Sequence, residues 1–141
     1  MSFLLDTNIV SEVVRKRPAV RVHGWLQSVP TDQQFVSAMT VGELLFGIER
    51  LSDGQRKTDL RIWFETDFLV AKGPRILPFD AVVAGTWAQL RVAAKRTLPG
   101  LDSLIAATAL HHGLALATRN VRDFEGLGLR LVDPFAFGAG G

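Results

Sequence analysis

The sequence predicts one α/β domain of three layers, in which helices cover both faces of a central, mostly parallel sheet. Three observations lead to this prediction. Short apolar runs alternate along the chain with longer stretches of helical periodicity. The apolar runs lack a polar face, as is typical of strands buried in a parallel sheet. The length of 141 residues and the hydrophobic content of 48% suit a single domain with its own core.

The first half of the chain opens on a short strand that ends at Asp6, Thr7 and Asn8, residue types that favour helix starts. Beyond this point, apolar residues recur at helical spacing on either side of a break at residues 52–54. The predicted elements are a strand over 2–5, helices over 9–16 and 18–29, a strand over 35–38, and helices over 41–51 and 55–71.

The second half repeats the alternation of strand and helix. Asp80 is an N-cap candidate, and Gly113 is a natural residue at which a helix ends. The predicted elements are a strand over 75–77, helices over 80–97 and 102–112, and strands over 114–117 and 129–132. The domain is expected to span residues 1–135, with residues 136–141 as a flexible tail.

Composition excludes several classes of protein. With no cysteine, the chain forms neither a disulfide scaffold nor a cysteine-based zinc site, and it suits a reducing, cytoplasmic setting. No targeting segment is visible, and the longest uncharged stretch, residues 103–118, is shorter than a membrane span. The net charge of +2 is far from that of a dedicated DNA-binding module. A soluble protein is therefore expected.

Four acidic residues fall where the predicted strands and helices place the functional crevice of an open α/β sheet, beyond the carboxyl ends of the strands. Asp6 closes the first strand, and Glu43 is expected in the first turn of the next strand's helix. Asp102 opens the helix before the fourth strand, and Asp123 lies just beyond that strand. Four carboxylates at one edge repel each other, so at least one is expected to take up a proton unless cations compensate.

Each acid also has an interpretation as a helix cap. Asp6 or Asp102 suits an N-cap, Thr40 with Glu43 matches a capping box, and Asn120 with Asp123 makes a similar pattern. Capping and metal binding are compatible. Oxygen ligands of this kind suit Mg²⁺ or Mn²⁺, which activate water and polarise phosphoryl oxygens. The residues alone thus indicate metal-dependent phosphoryl transfer or phosphodiester hydrolysis.

Two other α/β classes with clustered acids fit less well. A phosphatase of the haloacid-dehalogenase kind needs a second Asp two residues after its nucleophile, where this chain has Asn8. A receiver domain needs a lysine late in the chain, and there is none from Asn120 to the end. The three histidines include no His-x-x-x-His pair, and His111 with His112 at a predicted helix end is better explained by stabilisation of the last turn.

Four blocks in order resemble the successive signatures of a PIN domain: FLLDTN at 3–8, SAMTVGEL at 37–44, DSLIAA at 102–107 and ATRNVRDF at 117–124. Within PIN domains, residues 120–126 and the closing LVDPF at 131–135 look most like the VapC/FitB-type toxins of bacterial type II toxin–antitoxin pairs. The resemblance covers nearly the whole chain and implies a PIN-like three-layer α/β/α fold.

The resemblance further implies a Mg²⁺- or Mn²⁺-dependent endoribonuclease. Its acidic core would be Asp6, Glu43 and Asp102. Family members often have Asp where this chain has Asn120, while others use the later acid, here Asp123. Asn can coordinate through its carbonyl oxygen but adds no charge, so Asp123 is assigned the fourth acidic position, with Asn120 supporting it. The assigned metal ligands and catalytic residues are Asp6, Glu43, Asp102 and Asp123, and the supporting residues are Thr7, Asn8, Thr118 and Asn120.

Partners follow from the same resemblance: an RNA substrate, a cognate antitoxin of the VapB/FitA kind, a second copy in a homodimer, DNA only through the antitoxin, and no membrane. Arg119 and Arg122 flank the predicted site and suit a scissile phosphate. Aromatic residues of the helices within 41–71, Trp63 and Phe64 among them, suit a groove for an antitoxin helix. The alternative is a catalytically weak PIN domain that serves mainly as an antitoxin-binding subunit of a DNA-binding regulatory complex.

Overall fold

The protein is described here by a computed structural model that covers residues 1–138. A five-stranded sheet lies at its centre, in the order β3-β2-β1-β4-β5, and every pairing among the described strands is parallel. The strands are β1 (Phe3–Leu5), β2 (Gln34–Ser37), β3 (Ile76–Leu77), β4 (Ala115–Ala117) and β5 (Leu131–Val132). The predicted α/β class and parallel sheet are confirmed.

Eight α-helices connect and cover the strands in the described residues. They are α1 (Thr7–Val10), α2 (Val20–Ser28), α3 (Ala38–Glu49), α4 (Gln55–Ile62), α5 (Leu69–Lys72), α6 (Ala81–Ala93), α7 (Gly100–His111) and α8 (Val121–Phe124). Short 3-10 turns extend several of them, and a π-helical turn, Trp63–Phe68, joins α4 to α5. Within residues 1–138, no helix combines the length and the apolar character that crossing a membrane requires.

The two faces of the sheet hold separate cores because side chains alternate along each strand. Leu4 and Leu116 face a core that includes the closely packed alanines of α7, Ala106 and Ala107. Leu5, with Val36 and Ala117 of the neighbouring strands, faces the other core, which is rich in aromatic side chains from α2 and the π-helical turn. Strands buried on both faces explain why the apolar runs in the sequence lack a polar face.

Several predicted boundaries differ from the structure. The helix expected over 55–71 is not uniform, because the π-helical turn interrupts it and brings Trp63, Phe64 and Phe68 together on the core side. The helix expected to reach 97 ends at Ala93, after which the chain turns and Arg96 bonds to a distant loop. Helix α8, Val121–Phe124, was not among the predicted elements.

The proposed flexible tail, residues 136–141, is described up to residue 138. Ala136 completes a 3-10 turn, Pro134–Ala136. Nη1 of Arg21 donates to the Phe137 carbonyl oxygen at 2.8 Å, which ties this part of the tail to α2. Residues 139–141 lie outside the described residues.

Candidate active site

Because the strands are parallel, the chain leaves β1, β2, β4 and β5 at the same edge of the sheet, and the four predicted acids lie beyond it. We call these four residues, Asp6, Glu43, Asp102 and Asp123, the carboxylate edge. They come from four different helices or helix caps, α1, α3, α7 and α8. Each side chain is therefore held by a separate element.

Asp6 is the most deeply placed of the four, with 5% of its surface exposed. It caps α1, since Oδ1 accepts the Thr7 N–H at 2.7 Å. Its second oxygen accepts from the Thr118 hydroxyl at 2.8 Å and from Asn8 Nδ2 at 3.4 Å. Burial raises the pKa of Asp6, against the lowering effect of the hydrogen bonds from Thr118 and Thr7.

Glu43 lies in the second turn of α3 rather than the first, because the helix begins at Ala38. The N-cap is Ser37, whose hydroxyl accepts the Met39 N–H at 3.0 Å, so the predicted capping box of Thr40 and Glu43 is wrong. Glu43 instead accepts a short hydrogen bond of 2.6 Å from the Thr7 hydroxyl. Thr7 Oγ1 also lies 3.1 Å from Thr40 Oγ1. Thr7 thus links α1 to the acid of α3.

Asp102 lies in the first turn of α7, which begins at Gly100 with Pro99 as its N-cap. The prediction that Asp102 opens this helix is therefore wrong by two residues. Burial raises the pKa of Asp102, and the negative charges of the other three members of the carboxylate edge raise it further. The negative charges of Asp6, Asp123 and Glu43 therefore act on Asp102 across the edge.

Asp123 is exposed and lies in the four-residue helix α8. Asn120 precedes that helix but its side chain does not cap it, so the predicted capping pattern of Asn120 and Asp123 is absent. The Asn120 N–H donates to Thr118 Oγ1 at 3.1 Å. Asp123 contributes to the charge felt by Asp102, whereas Asn120 carries no charge. The later acid therefore supplies the fourth negative charge at this edge.

A polar network holds the centre of the site. Asn8 Nδ2 lies 3.4 Å from Asp6 Oδ2 and 3.5 Å from Thr118 Oγ1, and its Oδ1 accepts the Arg119 N–H at 3.2 Å. Asn8 and Thr118 therefore orient Asp6 and tie the end of β1 to the end of β4. Three of the four predicted supporting residues, Thr7, Asn8 and Thr118, have hydrogen bonds to the acids.

The two arginines expected near the site lie on its rim. Arg119 and Arg122 are both exposed and line a surface cleft of about 480 Å³ together with Asn120 and Asp123. The Arg119 guanidinium lies over the Phe135 ring, 4.6 Å from the ring centroid. This stacking fixes the Arg119 side chain beside the acids without neutralising any of them.

Sequence reasoning did not single out Arg96 or Ser103 for the site. Arg96 donates to the carbonyl oxygen of Asp123 at 2.8 Å and to that of Glu125 at 2.9 Å. Ser103, next to Asp102, accepts from Trp87 Nε1 at 2.9 Å. No local pattern predicts the role of Arg96, because it depends on contacts with residues distant in sequence.

The donor set fits Mg²⁺ or Mn²⁺ in its chemistry. The donors are carboxylate oxygens, which these hard cations prefer. In residues 1–138 no ion pair involves a member of the carboxylate edge, so no cationic side chain offsets their negative charge. In the described part of the chain, no three or more His, Cys, Asp or Glu side chains are grouped so that together they could hold a metal ion. Mg²⁺ does not need such a cage, since it keeps several waters and uses one or two carboxylates with substrate phosphates.

A second concave region lies on the opposite side of β1 from α7. We call it the apolar groove; its volume is about 550 Å³, and its wall includes Val10, Val13, Leu26, Trp63, Phe68 and Lys72. Phe64 is only 4% exposed and belongs to the core, so of the two aromatic residues named for a partner groove only Trp63 lines it. Burial, with the nearby Arg75 charge, lowers the pKa of Lys72 to about 8.

Comparison with known proteins gives consistent results. The model of the PIN domain family matches residues 3–128. The chain is 39% identical to the toxin FitB of Neisseria gonorrhoeae over 135 residues, 94% of this chain and 97% of that protein. It is 36% identical to the VapC ribonuclease Y4jK of Sinorhizobium fredii over 135 residues, 94% of this chain and 96% of that protein. A structure of FitAB bound to an IR36 DNA fragment superposes with a TM-score of 0.90 at 37% identity, covering 94% of this chain and 95% of the other.

Proposed function

This chain belongs to the PIN domain family, and from that premise we propose that it is a Mg²⁺- or Mn²⁺-dependent endoribonuclease acting as the toxin of a bacterial toxin–antitoxin pair. The observation that carries the proposal is the position of Asp102 on the carboxylate edge, where burial first, and then the negative charges of Asp6, Asp123 and Glu43, raise its pKa. A fold does not gather like charges in this way for stability, because their repulsion opposes folding.

The roles of the acids follow from their surroundings. Asp6 and Asp102 would hold the cation directly, because burial disfavours their ionised forms and raises their pKa values unless a cation compensates. The Thr7 hydroxyl fixes Glu43 by a hydrogen bond, and Glu43 would act on the cation through a water molecule. When bound, the cation supplies neutralisation of phosphoryl oxygens and a more acidic water.

Substrate orientation falls to the basic rim. Arg119 and Arg122 are exposed beside Asp123 and would hold the scissile phosphate. With the four acids neutralised by cations, the sixteen basic residues outnumber the remaining acidic ones by six. The rest of the surface then attracts a polyanion such as RNA.

The partner proposed for the apolar groove is the apolar face of an antitoxin helix. The groove is lined mainly by aliphatic and aromatic side chains, with the Lys72 ammonium at one wall. An amphipathic helix matches this lining through its apolar face, and its polar edge would meet one basic residue, Lys72, and one acidic residue, Asp67. The structural neighbour FitAB is a complex bound to DNA, and contact with DNA is proposed here only through the antitoxin, with the toxin as a homodimer.

The test is to express the chain briefly in the bacterial cytoplasm without an antitoxin and then to map the ends of the cellular RNA. We expect new ends at defined positions with the wild type and none with Asp102→Asn. Such ends would also identify the target RNA. New ends that are equally abundant with Asp102→Asn contradict the proposal. The absence of new ends with the wild type, together with tight antitoxin binding, favours the alternative of a catalytically weak antitoxin-binding subunit.

A further inference from the structure

The connection between α6 and α7 forms a second basic cavity beside the carboxylate edge. Its volume is about 660 Å³, and Trp87, Arg91, Arg96 and Leu98 are in its wall. Residues 81–101 contain three basic residues and no Asp or Glu. In the part of the chain that the structure describes, this cavity therefore has a cationic wall and an aromatic ring, and it lies next to the candidate active site.

Arg91 presents a flat cationic surface in this cavity. Its guanidinium lies over the Trp87 indole, 4.7 Å from the ring centroid, while the residue itself is exposed. The indole is held in turn, since its Nε1 donates to Ser103 Oγ at 2.9 Å and its ring meets Phe79 edge to face. A guanidinium fixed in this way keeps one face available, and unpaired nucleobases stack on such planes.

Arg96 supplies donors for a phosphate at the other side of the cavity. A guanidinium has five N–H donors, and Arg96 uses two of them on the carbonyl oxygens of Asp123 and Glu125. The remaining donors are available to a phosphate oxygen, and the tether keeps the side chain from swinging away. Lys95 adds a second charge nearby.

The two arginines are connected to the carboxylate edge, Arg91 through the Trp87 ring on which it lies and Arg96 directly. Trp87 bonds to Ser103, the residue after Asp102, and Arg96 bonds to the backbone of Asp123. A nucleotide held in the cavity therefore lies next to the acids on the side of α7 and α8. A duplex cannot present a splayed base to the Arg91 plane, whereas a single strand can.

We propose that Trp87, Arg91 and Arg96 form a binding subsite for one unpaired nucleotide of the substrate RNA, with the base stacked on Arg91 and its phosphate held by Arg96. This inference rests on the proposed function and adds a subsite that selects single-stranded RNA. The two basic groups and the planar stack fit a nucleotide better than an apolar partner surface.

The experiment compares Arg91→Ala, Arg91→Lys and Arg130→Ala, each combined with Asp102→Asn so that RNA is not consumed. Arg130 is a matched control because it precedes β5 and so lies at the opposite edge of the parallel sheet. The probe is a fluorescein-labelled eight-nucleotide RNA of mixed sequence, single-stranded or as a duplex, and the readout is fluorescence anisotropy in Mg²⁺.

We expect Arg91→Ala and Arg91→Lys to weaken single-strand binding about five- to tenfold, as loss of one stacked base does. Arg130→Ala should change it less than twofold, and duplex binding should be equally weak in all variants. In the otherwise wild-type chain, Arg91→Ala should raise KM by a similar factor with kcat nearly unchanged. Thermal unfolding of each variant verifies that the fold is intact.

Three results would overturn the subsite. If Arg91→Lys binds single-stranded RNA as tightly as the Asp102→Asn parent, the charge alone matters. If Arg91→Ala and Arg130→Ala weaken this binding equally, the position of the arginine does not matter. A change of oligomeric state in Arg91→Ala, with RNA affinity unaltered, would assign the cavity to contact between copies of the chain. A wild type that binds RNA through Arg91 but never cleaves it would instead refute the proposed function and leave the subsite standing.

Discussion

The carboxylate edge and the apolar groove both lie at the same short strand, β1 (Phe3–Leu5), but they differ in their effect on the stability of the fold. Beyond the end of β1, Asp6 lies at one edge with three other acids, and burial raises the pKa of Asp6 and of Asp102. On one face of β1, Leu5 contributes to a wall of aliphatic and aromatic groups that stabilise the core. The carboxylate edge thus opposes folding and suits catalysis, whereas the apolar groove supports folding and suits the binding of a partner.

The largest expected effect is on activity at the carboxylate edge. Asp6→Ala and Asp102→Ala should each lower the rate of RNA cleavage by about a thousandfold, because loss of an outer-shell partner alone costs about 10–100-fold. The measurement is initial cleavage rate in Mg²⁺ or Mn²⁺, with circular dichroism showing that both variants fold. Undiminished cleavage by both folded variants would remove the edge from the mechanism.

The next effect is on stability at the aromatic core under the groove. Phe68 is 4% exposed and its ring packs against Phe64 and Trp63. Phe68→Ala should lower the free energy of unfolding by about 3 kcal/mol, measured by urea denaturation, while cleavage per folded molecule stays unchanged. Phe137→Ala, at an exposed phenylalanine, is the control and should cost less than about 1 kcal/mol. Equal losses in the two variants would contradict this assignment of the core.

A smaller effect separates partner binding from chemistry. Val13 lines the groove and is 50% exposed, so Val13→Glu places a charge against the proposed antitoxin helix without disturbing the core. Affinity for the antitoxin should fall about tenfold or more, measured by calorimetry, with cleavage retained. Val82→Glu on α6 provides the matched exposed substitution. The groove would not be the antitoxin site if Val13→Glu bound as tightly as Val82→Glu.

Neutralising one acid should stabilise the fold. The pKa of Asp102 is raised in the folded chain, so the folded state binds protons more readily than the unfolded one and the penalty is fully present at neutral pH. Asp102→Asn should therefore raise Tm by about 1–3 °C at pH 7 in chelator, with the gain lost on acidification. A lower Tm in the variant would show that Asp102 stabilises rather than strains the edge.

The smallest expected effect is on the chemical reactivity of Lys72, the lysine in the wall of the apolar groove. Burial lowers the pKa of Lys72 to about 8, so about half of this amine is unprotonated at pH 8, where an ordinary lysine is almost fully charged. Reductive methylation at pH 8, followed by peptide mass spectrometry, should modify Lys72 faster than Lys16, which is exposed. The same rate at both residues would mean that the groove does not desolvate the amine.

The sequence was sufficient for the features set by local pattern. The parallel sheet followed from apolar runs without a polar face, and the caps at Asp6 and Asp80 followed from residue type. The expectation that the acids lie beyond one edge of the sheet followed from the rule that parallel strands end at one edge. The supporting role of Thr7, Asn8 and Thr118 followed only from the resemblance to PIN domains, and each of the three has a hydrogen bond to one of the acids.

What the sequence did not reveal depends on contacts between distant residues. Helix α6 ends before Lys95 because Arg96 bonds to carbonyls of residues 123 and 125, which no periodicity shows. Helix α3 begins at Ala38 because Ser37 caps it, although Thr40 and Glu43 make an equally good local pattern. The π-helical turn likewise depends on how Phe64 and Phe68 pack into the core.

The most direct test of the carboxylate edge as a metal-dependent nuclease centre joins metal binding to cleavage in one preparation. Purified wild type and Asp102→Asn are freed of metal with EDTA, titrated with Mn²⁺ by electron paramagnetic resonance, and assayed on the RNA identified by end mapping. We predict Mn²⁺ binding and restored cleavage in the wild type and the loss of both in Asp102→Asn. Cleavage that persists in EDTA, or that returns in Asp102→Asn to the wild-type rate, would contradict the account.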